Sequence, residues 1–322
     1  MKPVRVAIIG CGGIAEAHAA AYAAAGAQAE IVGCADEIEA SARAFAEKHH
    51  CVAATNIDEL LDTVKPDAIS ICTPPNSHLP ITAKAAARRI HVLCEKPMAR
   101  NVDEAHEMIR LVEESGIVFM NGLCHTFHGP LNQAKGLVNS GKLGELVHFY
   151  NRFAGRFEGV EKRWFADAEI AGGGVLLDTT VHSFSIFRHI AGDIEKVRAV
   201  INTRLPTKVE DTAAVALKSV SGITGEISAS WLTDPGEWIV RLYCTGGVIE
   251  LDYNRTPNLR YQLPKGDWVE VNYEGPDRFA LEVAHFLECV RTGATPSVSV
   301  VDGARTIEAI DQAYRTARTD CA

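Results

Sequence analysis

Residues 10–15 read Gly-Cys-Gly-Gly-Ile-Ala, between a short apolar run at 4–10 and an Ala-rich stretch at 13–25. This G-x-G-x-x-A pattern fits a strand that turns directly into a helix. Gly10 permits the tight turn, Gly12 lets the backbone approach a pyrophosphate, and Ala15 lets helix and strand pack closely. Gly13 and Ile14 open the helix, whose N-terminal N–H groups receive negative charge. Asp36 ends the next apolar run, 21 residues beyond Ala15, where a carboxylate accepts both hydrogen bonds of an adenosine ribose diol. The same carboxylate repels a 2′-phosphate. The expectation is therefore NAD(H) in preference to NADP(H), with Arg43 and Lys48 as the nearby cations that would soften it.

The 322 residues allow about two domains, each able to bury its own core. Hydrophobic residues at 47 % and charged residues at 23 % exclude a disordered or fibrous chain. A formal charge of −9 argues against nucleic acid and anionic membrane as partners. No stretch approaches the ~20 apolar residues needed to cross a bilayer. The apolar run at 6–9 is too short for a secretory signal. The nine cysteines contain no CxxC pair and no zinc-ligand spacing, and their odd number forbids complete internal pairing. The expectation is a cytoplasmic protein without a metal.

Up to about residue 121, short apolar runs alternate with longer amphipathic ones, the pattern of a parallel sheet with crossover helices. Strands are expected at 4–10, 29–35, 68–72, 90–94 and 117–120, and helices near 13–25, 38–49, 77–88 and 102–114, with Asn76, Ser77 and Asn101 as caps. After residue 122 the character changes. Strands at 146–153, 196–203, 212–218, 223–231, 239–244 and 248–253 follow one another, with hairpin signals at Ser221-Gly222 and Gly246-Gly247. A helix at 174–191 lies among them, and helices near 278–291 and 302–318 end the chain. The fold class is α/β: a dinucleotide-binding Rossmann domain over 1–121, then an α/β domain with a large, mostly antiparallel open sheet over 122–322, whose C-terminal helix can pack back on the first domain.

Three unusual segments fall at the carboxyl ends of expected strands, where open α/β sheets bind ligands. They are Cys72-Thr73-Pro74-Pro75-Asn76, Cys94-Glu95-Lys96-Pro97, and Asn121 with the chain after it. The paired prolines make a rigid turn able to lie along a cofactor. Lys96, before proline, is kept out of helical geometry at the strand mouth. A solvated surface lysine is the competing reading.

These blocks, with Ser77-His78 and with Gly172-Gly173-Gly174-Val175-Leu176-Leu177-Asp178 followed by His182, resemble the Gfo/Idh/MocA oxidoreductases. The resemblance extends to Val209-Glu210-Asp211-Thr212-Ala213 and the Gly246-Gly247 turn. It implies hydride transfer between NAD(P) and a ring carbon of a sugar, inositol or sugar derivative. It also implies a homo-oligomer, dimer or tetramer, built through the C-terminal sheet. By this resemblance Lys96 hydrogen-bonds the reacting oxygen, Glu95 faces the cofactor, and Asp178 and His182 complete a catalytic triad with Lys96. Thr73, Pro74, Asn76 and His78 join the cofactor site. Residues four apart share a helical face, so Asp178 can orient His182, and histidine exchanges a proton near neutral pH. A purely structural cap is the competing reading of that pair. Two rival functions remain: an NAD-recycling lyase or glycosidase, and a non-catalytic NAD-binding regulator.

Departures from the family pattern concern the substrate. Thr180 and Ser185 stand where glycine and aspartate are usual, Thr126 where arginine is frequent, and His125 and His128 are unusual. A strand there would point the two histidine rings to opposite faces, against a metal. Residues 151–165 form a basic, aromatic island in an acidic protein. Arg156 there offers bidentate binding of a carboxylate or phosphate, and Phe157 or Trp164 a stacking surface for a sugar ring. A hydrated edge with its aromatics in the core is the competing reading.

Overall fold

The computed structural model describes residues 2–319, so Cys321 lies outside the described residues. The chain divides into two compact units. One holds the residues up to Cys124 together with Asp277–Arg305; the other holds His125–Pro276 and the chain from Thr306 onward.

The first unit alternates strand and helix: β1 (Val4–Ile9), α1 (Gly13–Ala24), β2 (Ala29–Ala35), α2 (Glu39–His49), β3 (Val52–Ala54), α3 (Ile57–Val64), β4 (Ala68–Ile71), α4 (His78–Ala87), β5 (His91–Glu95), α5 (Val102–Ser115) and β6 (Phe119–Gly122). Its sheet runs β3-β2-β1-β4-β5-β6 with every pair parallel. The central strands are buried on both faces, as their unbroken apolar sequence requires. Asn101 caps α5 by accepting the Glu104 N–H at 2.9 Å. Ser77 does not cap α4; its hydroxyl donates instead to the Pro74 carbonyl at 2.8 Å. Both β3 and α3 are additions to the elements read from sequence.

The second unit comprises α6 (Gly129–Asn139), β7 (Leu146–Ala154), α7 (Ala168–Ala171), α8 (Val175–Asp178), α9 (Thr180–Ala191), β8 (Ile194–Asn202), β9 (Thr212–Ser219), β10 (Thr224–Ser230), β11 (Glu237–Cys244), β12 (Gly247–Asp252), β13 (Leu259–Gln262) and β14 (Trp268–Val271). Its eight strands run β14-β13-β12-β11-β7-β10-β9-β8, antiparallel except for β7 beside β10. One face of β7 buries Phe149 and Phe153, and α9 packs there, with Phe187 edge-on to Phe149 at 5.3 Å. The helix expected over 174–191 is divided at Thr179. Its φ of −90° and ψ of −47° remain right-handed helical, so Asp178 and His182 are still one turn apart.

Two helices end the chain, α10 (Arg278–Thr292) and α11 (Val300–Thr319). The sequence reading placed residues 122–322 in the second domain, with the C-terminal helix able to pack back on the first; residues 277–305 group with the first unit and the chain from Thr306 onward with the second. The reason is apolar: Val283, Phe286 and Leu287 of α10 are buried, and α10 packs on the small-residue surface of α1. Among the described residues no cysteines are bridged, and no helix is long and apolar enough to cross a membrane.

Candidate active site

β1 leads into Gly10, whose φ is +88°. A side-chain carbon at residue 10 would sit 2.8 Å from the Cys72 carbonyl and 2.9 Å from Thr73 Cγ2. Glycine is thus required by backbone sign and by the approach of the loop after β4. Gly12 is the N-cap of α1 and gives it no side-chain cap, and a Cβ at Gly12 or Gly13 would meet nothing within 4 Å. The helix start therefore combines uncapped N–H groups with open space, the cradle a pyrophosphate needs, and these residues fit a dinucleotide. Ile14 is half-buried and Ala15 is fully buried.

Asp36 braces this loop as well as standing at the expected ribose position. One carboxylate oxygen accepts the Cys11 N–H at 2.8 Å and the other the Ile38 N–H at 2.9 Å. A carboxylate oxygen has a second lone pair, so both can still accept a hydroxyl. The two cations that would admit a 2′-phosphate are paired: Arg43 with Glu39 at 2.5 Å and Lys48 with Glu16 at 2.8 Å. The Lys48 hydrogen bond also holds the Glu16 carboxyl below its usual range, aided by His49.

At the ends of β4 and β5 the sequence expectation divides. Thr73 and Pro74 are half-buried and Asn76 is exposed, so all three can meet a ligand. His78 cannot. It is fully buried, with Nε2 2.8 Å from the Thr73 carbonyl and Nδ1 3.0 Å from the Pro97 carbonyl. It ties together the two loops that carry Thr73 and Lys96, and burial lowers its pKa. Glu95 also departs from expectation. Its carboxylate is buried, 2.8 Å from His18 Nε2, and accepts the Lys96 N–H at 3.0 Å. His18 continues to Ser70 Oγ at 3.2 Å, itself 2.8 Å from the Tyr22 hydroxyl. Burial opposes charge on both members, but Cys72 and Glu95 raise His18 well above its ordinary value, and His18 and Lys96 lower Glu95. The two shifts run in the directions that favour an ion pair, and Glu95 fixes the backbone of Lys96 from behind. Lys96 itself is half-buried.

In the second unit the triple glycine has a packing cause. A Cβ on Gly174 would fall 1.9 Å from the Glu210 carbonyl oxygen, and one on Gly173 2.1 Å from the Tyr314 hydroxyl. Glu210 Oε1 accepts the N–H groups of Gly174 at 3.0 Å and Leu176 at 2.9 Å, and Tyr314 donates to it at 2.8 Å. Its carbonyl accepts the Val175 N–H at 2.8 Å. Glu210 is therefore the cap of α8. From Val175 to Phe187 the helical segment is buried at every residue except Asp178 and His182, which are half-buried; beyond it Arg188, His189 and Ile190 also come partly to the surface.

Residues 124–127 form a 3-10 turn and not the strand that the opposite-face argument for the two histidines assumed, so that argument falls. His125 Nδ1 lies 2.8 Å from the Tyr253 hydroxyl, and His128 stacks on the same ring at 4.9 Å. The His125 ring also meets His182, centroid to centroid at 4.4 Å. Thr126 is buried, its carbonyl accepting the Asn132 amide at 3.0 Å.

The basic island stacks largely on itself. Trp164 lies on Phe165 at 3.7 Å, and Arg163 covers Phe157 at 4.9 Å and Phe165 at 5.3 Å. Phe157 meets Trp231 edge-on at 6.0 Å, and Trp231 donates to Thr179 Oγ1 at 3.0 Å, so the island reaches the turn between Asp178 and His182 through Trp231. Arg156 is 65 % exposed, with Glu158 at 4.0 Å.

Sequence reasoning missed His18, Glu282 and Tyr253, and quoted Glu210 only as part of a motif. Glu282, on α10, is fully buried with no hydrogen bond to either carboxylate oxygen. Burial, then the Glu95 charge, push its pKa up to about 8.

Fold and site together define a two-unit, Rossmann-type dinucleotide enzyme. Residues 4–123 match the oxidoreductase family model described as an NAD-binding Rossmann fold, and residues 131–250 match the GFO/IDH/MocA C-terminal domain. The chain belongs to the Gfo/Idh/MocA family of oxidoreductases. It is 29 % identical over 300 residues to D-xylose 1-dehydrogenase (NADP(+)) 2 of Haloferax volcanii, covering 92 % of this chain and 91 % of that one. It is 26 % identical over 317 residues to scyllo-inositol 2-dehydrogenase (NAD(+)) of Bacillus subtilis, covering 95 % and 91 %. A levoglucosan dehydrogenase in complex with NADH shares the fold at a TM-score of 0.92 and 21 % identity, covering 99 % of this chain and 98 % of that chain.

Proposed function

We propose that the protein is an NAD(H)-dependent dehydrogenase or ketoreductase acting on a ring carbon of a sugar, inositol or sugar derivative. The observation that carries the reading is that, between Val175 and Phe187, only Asp178 and His182 escape full burial, one helical turn apart. Burial on either side fixes the helix, and these two polar side chains are the ones along that stretch that a ligand can reach. In the oxidative direction His182 takes the hydroxyl proton, Lys96 steadies the developing alkoxide, and Asp178 orients His182 or a neighbouring hydroxyl. NAD(H), when bound, accepts or returns the hydride. Gly12, Gly13 and Ile14 receive its pyrophosphate, Asp36 its ribose diol, and Thr73, Pro74 and Asn76 lie along it. The pairing of Arg43 and Lys48 with carboxylates supports NAD(H) over NADP(H). Arg156 and Trp164 extend the substrate site and favour an anionic sugar. The working form is a cytoplasmic homo-oligomer, dimer or tetramer, assembled through the eight-stranded sheet.

The test is a panel of polyols, sugars and sugar acids with NAD+, followed at 340 nm and by product analysis. Absorbance that rises in step with product supports the reading. Product formed with no net absorbance change would replace it with the cofactor-recycling lyase or glycosidase. Cofactor binding with no product anywhere in the panel would favour the regulator.

A further inference from the structure

His125 and His182 stand 57 residues apart in sequence, yet their ring centroids are 4.4 Å apart with the planes inclined at 50°. Their ring nitrogens come within 4.8 Å of one another. His125 is buried, and its other contacts hold the ring in place. Nδ1 meets the Tyr253 hydroxyl at 2.8 Å, and Phe153 of β7 packs against the ring at 5.5 Å. Tyr253 is held in turn, stacked on His128 and edge-on to Phe153 at 5.6 Å. A phenol hydroxyl both donates and accepts, so it fixes the imidazole without supplying the negative charge that would favour an imidazolium. The titratable groups around the pair are Cys124, whose Sγ lies within 4.8 Å of both rings and whose thiol is kept protonated by burial, Tyr253 and His128 on the His125 side, and Asp178, one helical turn before His182. The carboxylate favours the proton on His182. Two imidazolium ions at this separation in a partly buried site repel strongly, so two protons cannot be taken up independently.

We propose that His125 and His182 titrate as one coupled pair that carries at most one added proton while the enzyme works, with Tyr253 holding His125 in position. The inference rests on the reading of His182 as the base. His125 and Tyr253 are positioning residues: they act on His182 and do not touch the reacting atoms. In the oxidative step the substrate O–H bond breaks and an N–H bond forms on His182. The pair goes from no added proton to one, which later leaves to solvent, while the hydride departs with the cofactor. His125 stays neutral throughout.

The experiment is an NMR titration of the histidine ring protons on the full chain, in chelator-treated buffer with and without NAD+. It compares the wild type with His125→Asn, His182→Asn and Tyr253→Phe, each checked for folding. In the wild type the pair gives two steps. The pKa values of the two rings measured singly, in His125→Asn and His182→Asn, should together exceed the sum of those two steps by about one pH unit or more. Tyr253→Phe, which keeps the ring and its packing, should move the lower step more than the upper. The acid limb of log kcat/KM should steepen from slope one to slope two in the wild type and remain at one in His125→Asn. Sums that agree within a few tenths of a unit would overturn the proposal, as would an acid limb of the same shape in both proteins. If the NMR coupling is present but His182→Asn turns over normally, the pair stands and the assignment of His182 as base falls.

Discussion

The carbonyl oxygen of Glu210 lies 1.9 Å from where a side-chain carbon on residue 174 would be, and its carboxylate accepts the Gly174 N–H at 3.0 Å. One residue of the strand connection thus both forbids a side chain at the head of the helix that carries Asp178 and caps it. Gly174→Ala should cost about 3 kcal/mol through overpacking, read as a lower urea midpoint, with a larger loss of kcat than of cofactor affinity. Glu210→Gln, which keeps the shape and loses the charge, should cost about 1–2 kcal/mol. A Gly174→Ala enzyme of wild-type stability and turnover would show that the close approach is not maintained in solution.

Asp36 has two tasks, which gives its substitution a mixed signature. Asp36→Ser removes the charge facing a 2′-phosphate, so the NADP+/NAD+ ratio of kcat/KM should rise about tenfold, the equivalent of roughly 1.4 kcal/mol. It also weakens the brace on the Cys11 and Ile38 N–H groups, so KM for NAD+ should rise as well. Steady-state kinetics with both cofactors decides; an unchanged ratio would mean that another residue sets the preference.

The parts of the molecule legible from sequence are those whose signal is local. The glycine turn, the doubly buried strands and the Asp178–His182 spacing each occupy a few consecutive positions with a fixed period. β3 escaped because it has three residues and leaves Val52 48 % exposed, and β13 and β14 because they are short strands at a sheet edge. α10 was recognised as a helix but assigned to the wrong unit, since its apolar stripe does not say which surface it covers. His78 and Glu95 were placed at the cofactor because their motif borders it, whereas both turn inward to partners 19 and 77 residues away. Glu210 illustrates the same limit: a buried carboxylate capping a helix 34 residues upstream has no local pattern of its own.

Four cysteines, Cys11, Cys34, Cys72 and Cys94, fall in or beside the strands that lead to the cofactor loops, and the structure separates them. Cys34, Cys72 and Cys94 are buried. The hydrogen bond with Cys11, followed by burial, pushes Cys34 up to about 12, and burial raises Cys94 well above the ordinary thiol value. Cys11 alone of the four is half-exposed, and it lies inside the glycine turn. Alkylation should inactivate the enzyme, bound NAD+ should protect it, and Cys11→Ser should resist. Peptide mapping by mass spectrometry checks the site; inactivation of Cys11→Ser at the wild-type rate would contradict it.

Glu282 makes stability fall as pH rises. Its folded pKa of about 8 lies above the ordinary carboxyl value of 4.5, so between those values the folded state keeps a proton that the unfolded state releases. The stability present below pH 4.5 is lost progressively up to pH 8, by at most roughly 1.4 kcal/mol per pH unit. Glu282→Gln carries no such proton and should flatten the slope, gaining on the wild type most at pH 8 and above. Urea unfolding of both proteins at pH 5 and pH 8.5 measures this. Parallel pH dependences would place the Glu282 carboxyl in a more polar setting than its burial indicates.

The central claim is that Lys96 and His182 act together on one reacting alcohol. Its most direct measurement is kcat and kcat/KM for Lys96→Ala, His182→Ala and the double variant with a substrate from the panel, alongside NADH binding by fluorescence. Each single change should lower turnover about a hundred- to ten-thousand-fold, the double should fall far less than the product of the two, and NADH affinity should persist throughout. Turnover unchanged by either single substitution would contradict the account.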